Sequence, residues 1–153
     1  MIVDFALGYD IEADIVVLMS VMFVTGESYL NGILEDLYDL QFGIRIRNLV
    51  HDTVSPPDFG SASSALFVPP ESREHVVVNL RNAIQRLLEH KHPRALTMET
   101  LHAHLPEKAM RKYQVITILL LSSGYELQEQ FRDETTGIDY WFFNMQAPTG
   151  KRG

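Results

Sequence analysis

The chain has 153 residues, no cysteine, 46% hydrophobic and 22% charged residues and a formal net charge of −7. These values suit an ordinary globular protein of one domain or two small ones, and they exclude disulfide stapling, thiolate zinc sites and thiol catalysis. The acidity is uneven: residues 1–70 hold two basic residues against ten acidic ones, whereas residues 71–153 hold eleven against ten, so nearly all net charge belongs to the N-terminal half.

In chain order, MIVDFAL reads as a strand. DIEADIVVLMSVMFVTG predicts a helix with Ile11, Ile15, Leu18, Met19 and Met22 inward and with apolar residues on its far side as well. Its apolar stretch, Ile15–Val24, is interrupted by Ser20 and is too short to cross about 30 Å of hydrocarbon. Asp4, Asp10, Glu12 and Asp14 stand where a signal peptide would carry basic residues, so a cytoplasmic or nuclear location without membrane attachment is expected.

SYLNGILEDLYDLQF predicts an amphipathic helix over 28–42 that buries Ile33, Leu34 and Leu37 and exposes Glu35, Asp36 and Asp39. GIRIRNLV alternates strictly and reads as a half-exposed strand with which MIVDFAL could pair. Residues 1–52 thus form an acidic N-terminal α/β region. Two Pro-Pro pairs bracket a Ser/Ala/Gly-rich stretch over 53–73, a linker or long loop. A domain over 74–147 and a disordered tail over 148–153 complete the division.

Within that domain, residues 75–90 predict a helix by the spacing of Val77, Leu80, Ile84 and Leu87. Residues 97–105 read as a short Pro-terminated helix and residues 107–122 as a third one ending at Gly124. Residues 125–132 and 138–145 then alternate around Thr-Thr-Gly as a hairpin. Lys108, Arg111 and Lys112 share one face of the third helix at its start. The hairpin sets Glu126, Glu129, Asp133, Glu134 and Asp139 against Arg132 alone, and its second strand places either Trp141 and Phe143 or Tyr140 and Phe142 on an outer face.

The passage RKYQVITILLLSSGY at 111–125, with its basic pair, Ile116-Thr117 and Gly124, resembles the recognition-helix-to-wing passage of winged-helix transcription factors of the cell-cycle type. The resemblance implies an α+β fold for this half, a winged helix of three helices plus a β-hairpin wing, with the smaller acidic N-terminal segment beside it. It also implies DNA contact through Lys108, Arg111 and Lys112. The acidic hairpin would oppose phosphate. The expectation is therefore a non-enzymatic interaction module, with a nucleic-acid- or chromosome-associated complex as one setting, that binds a protein partner or a second copy through Glu35, Asp36, Asp39, Tyr140, Trp141 and Phe143. A DNA-binding regulator is the alternative. No catalytic residue, cofactor or metal is expected: the pairs His90/His92 and His102/His104 would diverge by about 200° on a helix, and no P-loop, G-x-S-x-G or H-E-x-x-H occurs.

Overall fold

The computed structural model describes residues 1–25, 37–56, 73–100 and 103–146, without the side chains of Arg73, Lys108 and Ala109. Its strands are β1 (Ile2–Asp10), β2 (Ile15–Thr25), β3 (Leu37–Asn48), β4 (Thr53–Val54), β5 (Ala95–Glu99), β6 (Tyr125–Arg132) and β7 (Asp139–Met145), and its helices α1 (Arg73–Lys91) and α2 (Glu107–Ser122). The strands form one mixed sheet in the order β1-β2-β3-β5-β7-β6, with β4 paired to β3. The expected three helices plus a hairpin wing are therefore replaced, among the described residues, by a seven-stranded sheet with two helices.

The chain divides into two compact units, one of Met1–Val24 and Leu40–His92, the other of Thr25–Asp39 and Pro93–Gly153. In unit 1, β1 and β2 pair antiparallel from Ile2↔Met22 to Asp10↔Ile15. The segment expected to be a helix is strand β2 because it is buried on both faces: Val16, Val17, Met19, Ser20, Val21, Met22 and Phe23 are all enclosed. Such a strand shows no alternation, and its β-branched Ile15, Val16, Val17 and Val21 favour extended backbone. Strand β1 pairs with β2 rather than directly with the Gly43–Val50 segment.

Helix α1 forms where residues 75–90 predicted it and packs on β1. It buries Leu80, Ala83, Ile84, Leu87 and Leu88, a stripe at three-then-four spacing. Val17, Met19 and Ile44 make a core cluster against which Phe5, Leu7 and Val76 pack. The helix stops where His92 adopts φ 49 and Pro93 follows.

In unit 2, the first residues of β3 run parallel to β5 through Leu37↔Ala95, Tyr38↔Leu96 and Asp39↔Thr97. The expected helix over 28–42 is thus overturned from Leu37 onward, where the chain is β3; residues 28–36 of that expectation lie outside the described residues. The expected helix over 97–105 is also overturned where it is described: residues 103–104 are a turn, residues 101 and 102 lie outside the described residues, and Ala95–Glu99 is a central strand between β3 and β7. Those two neighbours supply its partners, and local propensity for helix cannot compete with a ladder on both sides.

Helix α2 and the hairpin β6–β7 lie where the sequence placed them. Tyr113, Ile116, Leu119 and Leu120 are buried from α2, and Gly124 at φ 96 turns the chain into β6, as a helix C-terminus requires of a residue in that region. Tyr125 closes the corner by donating its hydroxyl to the Pro93 carbonyl at 2.6 Å.

Candidate functional site

Titratable groups of unit 2 concentrate where β5 ends, β7 begins and α2 passes over them. Tyr113 stacks on Trp141 with ring centroids 5.1 Å apart and planes within 6°. Lys112 sets its ammonium 5.3 Å from the Tyr113 ring centroid, and burial lowers its pKa. Burial, with the charges of Asp139 and Glu99, pushes the Tyr113 phenol up to about 12. Glu99 is itself raised, first by burial and then by Asp39.

Asp139 is the hub of this cluster. Arg132 donates to it through Nε at 3.0 Å and a terminal nitrogen at 2.9 Å, a two-pronged pair that joins the facing ends of β6 and β7. Its backbone N–H donates to Thr100 Oγ1 at 3.1 Å, and the Thr100 N–H donates back to its carbonyl at 3.0 Å. The side chains of Asp139, Arg132 and Thr100 are thus paired with one another or with backbone, and these bonds stiffen the hairpin. Unit 1 has a comparable knot: Ser20 donates to Asp4, Arg45 lies 3.8 Å from the same carboxylate, and Arg45 Nε donates to the Ser55 carbonyl at 3.1 Å.

The residues singled out from the sequence separate. Arg111 is exposed, Lys112 is turned toward Tyr113, and the Lys108 side chain lies outside the described residues, so no open three-residue basic face is described. Glu35 and Asp36 also lie outside the described residues. Asp39 sits in β3 rather than on the outer face of a helix, and it accepts a hydrogen bond from Thr97 Oγ1 at 3.0 Å. Trp141 and Phe143 are core residues, at 4% and 0% exposure, and so cannot contact a partner directly. Tyr140 faces the opposite side of β7 and stacks on Phe131, centroids 5.2 Å apart. Phe131 is half exposed, and its register opposite Tyr140 sets it on that face; the sequence reading did not single it out, although its place between Gln130 and Arg132 in a strand could have.

Three turns share one construction, of which the sequence reading placed only the Thr-Thr-Gly turn of the hairpin and missed the two in unit 1. Asp10–Asp14, Asn48–Asp52 and Asp133–Gly137 are built alike. In each, the first side-chain oxygen accepts the backbone N–H groups two and three residues on: Glu12 and Ala13 from Asp10, both at 3.1 Å, Val50 and His51 from Asn48, both at 3.0 Å, and Thr135 and Thr136 from Asp133, at 2.8 and 3.3 Å. The fifth residue of each adopts positive φ: 50° at Asp14, 48° at Asp52 and 72° at Gly137. At Gly137 the position is also tight, since a Cβ there would stand 2.5 Å from the His104 imidazole.

Among the described residues no group of three or more His, Asp or Glu is placed to hold a metal, and no helix is long and apolar enough to cross a membrane. No family model matches the chain, and neither a curated protein nor a solved structure was found to be similar to it.

Proposed function

We propose that this chain is a non-enzymatic interaction module that binds a protein partner through the outer side of the β6–β7 hairpin. The observation that carries this reading is Phe131, 48% exposed and stacked on Tyr140, on the strand that ends the sheet order. On the same face of β6, Glu126 and Glu129 are exposed as well, so an aromatic anchor stands in an acidic setting. Aromatic anchors with polar rims are the usual makeup of protein interfaces. The polar clusters support the same reading, because Asp139, Thr100, Asp4 and Ser20 hold neighbouring strands together. The DNA-binding alternative keeps Arg111 on the surface but has Lys112 turned to an aromatic ring.

A photo-crosslinking residue placed at position 131 in cells tests the reading, with one at Gln85, on the exposed face of α1, as its control. A discrete protein adduct from position 131 alone is expected. Absence of that adduct, together with tight sequence-dependent binding to duplex DNA that Arg111→Ala removes, would replace the module by the regulator.

A further inference from the structure

The three like-built turns differ in what they carry at their tips. In Asp133–Gly137 the tip residues are Glu134, Thr135 and Thr136, all polar and exposed. In the two turns of unit 1 the corresponding positions hold Ile11, 88% exposed, and Leu49 and Val50, 51% and 67% exposed. Position by position, Ile11 and Leu49 match Glu134, and Val50 matches Thr135. The backbone pattern therefore does not call for apolar side chains there; the hairpin of unit 2 makes it without any.

Nor are the two apolar tips scattered. The Leu49 N–H donates to the Asp14 carbonyl at 2.8 Å, which ties the turn after β3 to the turn after β1. Tyr9, 72% exposed, flanks the first of them. Isolated surface apolar residues are ordinary, but a group held together at one end of a unit marks a contact surface. Its charge is acidic. Asp10 is engaged in capping its own turn and Asp52 is paired with Arg47 at 2.7 Å, while Glu12 and Asp14 are exposed carboxylates for which no ion pair occurs among the described residues.

We infer that the paired tips of unit 1 form a second docking surface, distinct from the β6–β7 hairpin and independent of the reading given for it, whose occupant is a protein segment with apolar residues flanked by Lys or Arg. The charge decides among occupants. Glu12 and Asp14 attract a basic rim, repel anionic lipid headgroups and disfavour a second copy of a chain with net charge −7.

The test is a titration of the ¹⁵N-labelled full chain with a synthetic amphipathic Leu/Lys peptide. A Leu/Glu counterpart, and phosphatidylcholine vesicles with and without phosphatidylglycerol, serve as comparisons. The Leu/Lys peptide is expected to shift amides of Ile11–Asp14 and Leu49–Asp52, and to bind about tenfold or more weakly to the variant I11T/L49T/V50T. Glu12→Lys, which leaves the apolar tips in place, is expected to weaken the same peptide while sparing amide dispersion. Shifts confined to other acidic surfaces, an equal response to the Leu/Glu peptide, a preference for vesicles, or unchanged affinity in both variants would overturn the proposal. A dimer that dissociates in the triple variant would overturn it too, by assigning the tips to a second copy.

Discussion

The turn of the β6–β7 hairpin and the two turns of unit 1 solve one backbone problem with different side chains. All three spend an Asp or Asn at the first position on two backbone N–H groups and place a residue of positive φ at the fifth. Asp and Asn tolerate that region better than most residues, and Gly tolerates it best, so either choice closes the loop. The positions in between are unconstrained by the turn. In unit 2 they hold what solvent favours, and in unit 1 they hold Ile11, Leu49 and Val50. Folding and recognition are thus written on separate residues of the same five-residue unit.

Removing the core beneath the polar-tipped hairpin should have the largest effect. Trp141→Ala deletes a side chain 4% exposed and stacked on Tyr113, and it should cost unit 2 about 3–5 kcal/mol in chemical denaturation. The apolar-tipped turns belong to the other unit, so amides of Asp10–Asp14 should report the change less than those of Asp133–Gly137.

Alkali should act next. The phenols of Tyr113 and Tyr125 are both pushed up to about 12, each chiefly by burial, so above about pH 10 the unfolded chain releases these protons before the folded one does. The stability they contribute is complete below about pH 10 and is lost as pH rises toward about 12, up to roughly 2–3 kcal/mol for each. Melting temperature followed from pH 9 to 12 should fall, and Tyr113→Phe should make the fall shallower.

Capping effects should be smaller and alike in all three turns. Asp10→Ala, Asn48→Ala and Asp133→Ala each forfeit two exposed hydrogen bonds and should each cost about 1 kcal/mol. A negligible loss at Asp10 or Asn48 beside a full loss at Asp133 would show that the resemblance between the turns is only geometric.

How much of this was legible from residues alone follows from where the partners of each segment lie. Helices α1 and α2 carry their own evidence, an apolar stripe ended by His92-Pro93 in one and by Gly124 in the other. The hairpin β6–β7 has alternation and a Thr-Thr-Gly loop. Strand β2 was misread because burial on both faces erases the period of two, and because Asp10, Glu12 and Asp14 ahead of it look like the acidic first turn of a helix. Their actual work is in a turn without glycine or proline. Strand β5 is five residues long and depends on β3 and β7, distant in sequence, so nothing local announces it. Of the residues proposed for partner binding, Tyr140 keeps a half-exposed place against Phe131, whereas Trp141 and Phe143 share the other side of β7 with the core. Strand alternation offered both assignments; only α2, through Tyr113, selects between them.

The smallest expected effect bears on the central claim, that Ile11, Leu49 and Val50 serve recognition and not the fold. Urea denaturation of I11T/L49T/V50T beside the unaltered chain measures this directly. A midpoint and slope giving a stability within about 0.5 kcal/mol of the unaltered chain are predicted, as for surface positions outside structural features. A loss of about 2 kcal/mol or more would contradict the account, because it would make the tips part of what holds unit 1 together.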